Sequence, residues 1–399
     1  MNIPQRIICQ DIEERILKTK EQMEHHGFDA LIVYGNNKVY GSLRYLTDYF
    51  PDRAGWVSFD LDDIYLFDGA ALVLTQKTEP ILMLERGLVL GKDICTTNVK
   101  SGAWGAAKES GLTAKNVARI LHDAGASGIV GIETWERFPA PLYLDLIEEM
   151  PNIQFKQSRI VESLRMVKTP LEIEIFQKAA AIGDLAHEVF KENLRDGIGR
   201  TELELIRLAE QTMRFHDPIY EDSCENSPSL ICSGYAVGGS LLHLPQHSKI
   251  IQPGDAVHWD ICTRYNGYAI DTSRTKVIGK PKPLQTRAYD TTVNMLEETI
   301  KIAKPGVPAV ELVNTSKQVA KDAGFELLDG FVGHGIGLDA HERPDLVAEG
   351  TPLEKNMVLA IEPRIAIDET YILGLEDMVL ITEDGGVPLT QFEKQPLEI

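Results

Sequence analysis

A pattern that occurs twice places the strongest limit on what this chain can fold into. Gly197-Ile198, three residues, then Glu202-Leu203 recurs 109 residues later as Gly306-Val307, three residues, then Glu311-Leu312. Each copy sits between two helical stretches. The first pair begins at Thr169-Pro170-Leu171-Glu172, where Thr can cap, Pro suits the first helical position and Glu completes a capping box. Thr201-Glu202-Leu203-Glu204 repeats that device, with Leu203, Ile206 and Met213 following at helical spacing. The second pair is predicted over 283–303 and 308–323. Strand-rich segments follow each pair, at 228–278 and 331–382. A chance match between helical stretches is the competing explanation. The repeated order of elements favours a duplicated ααββ unit.

The first 165 residues read differently. A charged helix over 11–26 leads into the apolar run Ala30–Tyr34, closed by Gly35-Asn36-Asn37. Ala70–Thr75 and Pro80–Leu84 flank a polar QKTE turn and predict a hairpin. Helices near 114–124 and 140–149 enclose the strand-like Gly128–Ile132. This is the pattern of an α/β domain with a mixed sheet, and it contains no Gly-rich phosphate loop. Two domains are therefore expected, 1–165 and 166–399.

Composition narrows the function classes. With 60 acidic against 40 basic side chains the formal charge is −20, which argues against nucleic acid and anionic membrane surfaces as partners. No stretch reaches the roughly 18 apolar residues of a membrane span, and the first residues lack the apolar run of a signal peptide. The five cysteines, Cys9, Cys95, Cys224, Cys232 and Cys262, are scattered and never form CxxC. They read as reduced thiols of a cytoplasmic protein.

The densest chemical signal lies in the strands of the two half-units. Asn266-Gly267 is the favoured pair for a two-residue type I′ hairpin. A tight turn there sets Cys262 opposite Asp271, with Asp260 its diagonal neighbour on the same face. In the second half, Ala360-Ile361-Glu362-Pro363-Arg364 runs into Asp368-Glu369-Thr370 and returns through Leu373-Gly374-Leu375-Glu376. A three-residue turn over 368–370 sets Glu362 opposite Glu376. Four acids brought together would repel at neutral pH unless cations bind between them. Between the pairs lies Gly333-His334-Gly335-Ile336-Gly337, whose glycines permit close backbone approach and whose histidine offers a neutral nitrogen. Carboxylates with one imidazole suit first-row divalent ions in oxygen-rich coordination. Taken singly, each acid reads as a hydrogen-bonded structural group; taken together, they favour metal.

These segments resemble the creatinase/aminopeptidase P/prolidase family of metallopeptidases (M24), over nearly the whole chain. DAVHWDICTRYNGYAIDTSRT is similar to the family's first metal segment, GHGIGLDAHERP to its histidine segment, AIEP to its third and LGLEDMVLIT to its last. The resemblance implies an α/β N-terminal domain and an α+β pita-bread catalytic domain of duplicated ααββ units. It implies five metal ligands, Asp260, Asp271, His334, Glu362 and Glu376, holding two divalent ions. Asp271 and Glu376 would bridge the ions, Asp260 completing one site, and His334 with Glu362 the other. Manganese is the expected ion, with cobalt, iron or zinc as alternatives. His243 and His341 match histidines placed against substrate and transition state, and Glu362 matches the general base. The implied activity is Xaa-Pro aminopeptidase or dipeptidase hydrolysis, with a hydroxide shared by the metals attacking the peptide carbonyl. A cytoplasmic homodimer acting on a small peptide or small molecule is implied as well.

Four positions depart from the family pattern. Gly330 stands where proline-specific relatives often carry histidine, and Gly374 where an arginine is common. Arg364 stands where glycine is usual, and Cys262 replaces a glycine. Arg364 shares the strand face of Glu362 and is expected to bind an anionic substrate group. Cys262 reads as a small apolar filler, against a metal-contacting or redox-sensitive role. His25, His26, His122, His187 and His216 read as surface or core residues, and His258 as buried. Tyr45–Trp56 reads either as a lid over a partner's pocket or as core. These departures keep two further functions open. One is a creatinase-like C–N hydrolase or dimethylsulfoniopropionate-type lyase acting on a non-peptide. The other is a catalytically inactive pita-bread binding protein.

Overall fold

The structure is a computed structural model and describes residues 5–36, 38–51, 69–84, 94–96, 98–101, 111–216, 229–234, 245–348, 351–368 and 371–399. The chain divides into two units, Met1–Arg165 and Met166–Ile399.

The first unit is built on a mixed sheet. Its strands are β1 (Ala30–Gly35), β2 (Ala70–Thr75), β3 (Ile81–Leu84), β4 (Val99–Ser101), β5 (Ile129–Glu133) and β6 (Gln154–Gln157), in the order β4-β3-β2-β1-β5-β6. The uninterrupted apolar run of β1 follows from its central place, where every residue is buried. The expected hairpin is β2–β3, antiparallel with Val73 opposite Ile81. The helix Ala114–Asp123 starts where the Thr113 hydroxyl accepts from Asn116 N–H, and it turns Val117 and Leu121 onto a core with Ile32, Val73 and Val130. Tyr45 belongs to that unit's interior: it is 2% exposed beneath Arg15, whose guanidinium lies 4.4 Å from its ring centroid. Of the suspected lid, Tyr45 is thus core; Arg53 and Trp56 lie outside the described residues.

Cysteine usage differs from expectation. Cys9, in the helix Gln5–His26, forms a disulfide with Cys95 across 86 residues of sequence, the Cα atoms 4.9 Å apart. Nothing in local spacing marks such a pair, because tertiary folding alone brings it together. Cys232 and Cys262 are free and buried; Cys224 lies outside the described residues.

The second unit repeats helix pair and strands. The helices Pro170–Arg195 and Glu202–His216 precede β7 (Leu230–Ser233), β8 (Ala256–Tyr265) and β9 (Tyr268–Val277). Pro283–Ile302 and Ala309–Asp322 precede β10 (Gly333–Gly335), β11 (Glu342–Asp345), β12 (Val358–Ile361), β13 (Arg364–Asp368), β14 (Tyr371–Gly374), β15 (Asp377–Ile381) and β16 (Gly386–Pro388). Both anticipated capping boxes form, at Thr169/Glu172 and Thr201/Glu204. The duplication extends to the interhelical loops, in a register two residues from the sequence match, with Gly199 and not Gly197 corresponding to Gly306. Gly199 N–H donates to Ile251 O in one half, and Gly306 N–H to Leu353 O in the other. Each half also keeps its own core, around Phe190 and Trp259 in the first and Leu296 and Leu359 in the second.

The halves are joined along β9. Glu376 N–H donates to Ser273 O, while the Glu376 carbonyl accepts from Thr272 Oγ1 at 3.0 Å and Arg274 Nη1 at 2.6 Å. Arg274, fully buried, also reaches Asp377 Oδ1 at 2.7 Å, and Lys394 completes the charge pairing at Asp377 Oδ2. Removing one member of a buried ion pair leaves an uncompensated charge. Arg274→Met is therefore expected to cost about 3–5 kcal/mol in denaturant unfolding, where a loss under about 1 kcal/mol would show the network to be dispensable.

Candidate metal centre

The first acid pair comes from the β8–β9 hairpin. Asn266 (φ 51°) and Gly267 (φ 84°) both take the left-handed backbone of a type I′ turn, which pins the register with Cys262 opposite Asp271. Asp260 and Asp271 are 7% and 3% exposed, so both carboxylates point inward rather than to solvent. Cys262 lies between them, its Sγ 3.0 Å from Asp271 Oδ1 and 3.6 Å from Asp260 Oδ1. The thiol faces carboxylates, so it does not act as an apolar filler.

The second pair keeps the expected register but not an unbroken hairpin. β12 pairs with β15 and β13 with β14 as separate ladders, in two different sheets. The interruption falls at Glu362-Pro363 and Leu375-Glu376. Pro363 has no N–H to give, and Glu362 N–H and Glu376 N–H turn to Val332 O and Ser273 O instead. This gap frees both glutamates from the pleat. Glu376 is 1% exposed and the Glu362 side chain 14%.

His334 enters from β10, between β11 and β12. A Cβ on Gly333 would collide with the Ala360 carbonyl, and one on Gly335 with the Arg343 carbonyl. The flanking glycines thus let strand backbones close around the imidazole. Nδ1–H donates to Gly335 O at 2.9 Å, which leaves the Nε2 lone pair facing inward. Nε2 has no hydrogen-bond partner although it is buried, and it stands 3.5 Å from Glu362 Oε1 and 3.8 Å from Asp271 Oδ2. Burial, reinforced by His341, lowers the His334 pKa to about 3, so the ring is neutral. A lone pair directed at two carboxylates is a repulsive arrangement that a shared cation resolves.

The acids carry the same signature. Burial raises Asp260 to about 6 and Glu362 to about 7, with the Arg364 charge opposing it at both. Burial and then the Asp260 charge hold Asp271 far above the carboxylate range; burial and then Asp271 do the same for Glu376. Among the described residues three donor groups form, each spanning no more than 4.8 Å: Asp260, Cys262 and Asp271; Asp271, His334 and His341; His334, Glu362 and Glu376. Shared members link them into one continuous cluster able to hold more than one divalent ion.

The remaining sequence candidates fall as follows. The His341 ring stacks on His334 with centroids 3.7 Å apart, open to solvent on its outer side. His243 lies outside the described residues. Arg364 sits at the rim, Nε 3.9 Å from Glu362 Oε2 and guanidinium 5.6 Å from the Phe331 centroid. Gly374 is its cross-strand partner, and a Cβ there would press on Arg364 Cγ at 2.9 Å. His258 donates from Nδ1 to Thr275 Oγ1, whose own proton goes to Gly374 O. His187 is fully buried and accepts the Trp259 indole N–H. Sequence reasoning missed Arg274, Asp377 and Phe331. For Arg274 the available signal was the polar run Asp271–Lys276 within a strand, which the structure buries throughout.

Comparison with known proteins matches this architecture. The model of metallopeptidase family M24 matches residues 174–383, and that of the Creatinase/Prolidase N-terminal domain matches residues 15–167. The Xaa-Pro dipeptidase of Pyrococcus furiosus is 33% identical over 290 residues, 70% of this chain and 78% of that protein. The Xaa-Pro dipeptidase of Lactobacillus helveticus is 31% identical over 256 residues, 63% and 68% respectively. Among solved structures, the recombinant prolidase from Thermococcus sibiricus superposes with a TM-score of 0.80 at 23% identity, covering 98% of this chain and 99% of that one. The Xaa-Pro dipeptidase from Bacillus anthracis gives 0.79 at 23%, covering 97% and 100%. The family implies divalent metal ions, and the donor chemistry described above fits them. With its α/β N-terminal domain and pita-bread catalytic domain, this chain belongs to metallopeptidase family M24 and is a hydrolase of that family.

Proposed function

We propose that the chain is an Xaa-Pro dipeptidase that uses two divalent ions, manganese foremost, held by Asp260, Asp271, His334, Glu362 and Glu376. One observation carries this reading: the unpartnered Nε2 of a neutral, buried His334 faces carboxylates that are themselves starved of counter-charge. When bound, the ions would supply a nucleophilic hydroxide near neutral pH and polarise the scissile carbonyl. The domain boundary at 165/166 is part of the same proposal.

The protein's own groups would do the rest. Glu362, raised to about 7 and within reach of the Arg364 charge, takes the proton of the attacking water and passes it to the leaving nitrogen. His341 offers an N–H from the open side of the stacked pair to the oxygen gaining charge. His243 is proposed as a second such donor, on resemblance alone. Arg364 grips the carboxylate at the substrate's C-terminus, which favours a dipeptide over a longer chain. A homodimer is proposed on family resemblance, with light scattering as its check. A cytoplasmic location is proposed on family resemblance alone, and the Cys9–Cys95 disulfide runs against it, since such bonds are rare in a reducing compartment.

A panel of Xaa-Pro dipeptides and tripeptides with added manganese or cobalt tests the activity. Turnover of Xaa-Pro dipeptides is expected, and its absence across the metal-replete panel would refute the reading. Glu362→Gln is expected to lower kcat by about 10²- to 10⁴-fold with metal still bound. Arg364→Ala is expected to raise KM for the free dipeptide by about 10- to 100-fold, the worth of a charged hydrogen bond, and to leave KM for its C-terminal amide unchanged. Equal effects on both would mean that Arg364 does not hold the carboxylate.

Stability should also depend on pH through Glu376. Its raised pKa means that the metal-free folded state binds a proton which the unfolded state releases above about pH 4.3, so the wild type loses stability as pH rises. Metal-free Glu376→Gln lacks that liability. Its melting temperature should exceed the wild type's at about pH 8 by roughly 2–4 °C, the shift made by about 1 kcal/mol in a unit of this size, and match it in acid. Added metal should invert the order, since only the carboxylate binds it.

A further inference from the structure

Cys262 occupies a position no part of the proposed reaction uses. It is 7% exposed, at the centre of β8, directly across the ladder from Asp271. Its sulfur belongs to a donor group with Asp260 and Asp271, all three buried and within 4.8 Å of one another. A divalent ion about 2.3 Å from sulfur and about 2.1 Å from oxygen sets those two donors about 3.1 to 3.6 Å apart, for bond angles from a right angle to tetrahedral. The observed separations, across which the metal-free thiol donates, are 3.6 Å, at the edge of that range, and 3.0 Å, just below it. An independent sign of a cation lies on the far side of Asp271. His334 Nε2, on a side chain 1% exposed, is unpartnered and aimed at Asp271 Oδ2 from 3.8 Å.

We propose that Cys262 is an additional metal ligand, a thiolate that binds the ion held by Asp260 and Asp271 and makes that half of the centre softer than a carboxylate–imidazole site. The step is simple ligand exchange: a metal–sulfur bond forms, a water leaves the ion, and the thiol proton goes to solvent with no change in oxidation state. Sulfur in the donor set favours zinc, cobalt or ferrous ions over manganese or magnesium. The consequence is a centre with one soft and one hard position in place of two alike. This inference rests on the metal-centre reading above.

Cobalt titration of the metal-free full chain separates the two. Visible d–d bands report that cobalt enters the centre at all, and a near-ultraviolet sulfur-to-cobalt charge-transfer band reports the thiolate. Both are expected in the wild type, and Cys262→Ser and Cys262→Ala should each lose the charge-transfer band while keeping the d–d bands. In competition dialysis the preference for cobalt over manganese should fall by roughly tenfold in either variant, the scale on which a lost metal-site partner is felt. Visible bands without the charge-transfer band in the wild type would overturn the sulfur ligand and leave the metal centre standing. A charge-transfer band that survives both substitutions would also overturn it. Failure to take up any cobalt would overturn the centre and the ligand together.

Discussion

Everything in the catalytic unit answers to one electrostatic fact. Asp260, Asp271 and Glu376 are buried, Glu362 nearly so; Asp271, Glu362 and Glu376 surround one imidazole that cannot supply charge, and Asp260 lies against Asp271. Burying even one carboxylate without a partner is costly, and crowding several compounds the cost through mutual repulsion. The metal-free protein meets it by holding protons on the acids. The surrounding architecture exists to impose this crowding. The β8–β9 hairpin, the gap at Pro363 and the glycine-flanked β10 each deliver a donor that would otherwise point to water or to a ladder partner.

Much of this was legible in the sequence where local rules suffice. Asn266-Gly267 determines its turn chemically, so the pairing of Cys262 with Asp271 could be read before any fold was known. The register that sets Arg364 opposite Gly374 was also read correctly, although the ladder shifts before its end and pairs Asp368 with Tyr371 instead of closing the expected turn over 368–370. Helix starts at Thr169 and Thr201 were legible because capping boxes are local. Other features were not. The split between β12 and β13 depends on Glu362 N–H finding Val332 O, a partner thirty residues away. The pairing of Arg274 with Asp377 and of Cys9 with Cys95 spans about a hundred residues, and no periodicity encodes such contacts.

Membership of the family accounts for the scaffold, while the rim of the site is built from this chain's own side chains. Gly374 and Arg364 are best understood as one feature. The absence of a side chain on one strand makes room for the guanidinium of the other, so charge at the rim of the site is supplied from β13. Cys262 similarly takes a place where a smaller residue would leave the carboxylates facing only each other. Fold alone carries none of this information.

The bonding of Glu376 has an evolutionary meaning beyond stability. Its N–H and carbonyl are tied by three hydrogen bonds to Ser273, Thr272 and Arg274, all on β9. Gly374, two positions earlier at the end of β14, can therefore change without displacing it. Under the proposed function, substitutions at 364 and 374 alter the grip on substrate while the Glu376 backbone stays in place. A backbone anchored in this manner lets rim residues vary one at a time without moving the ligand beneath them.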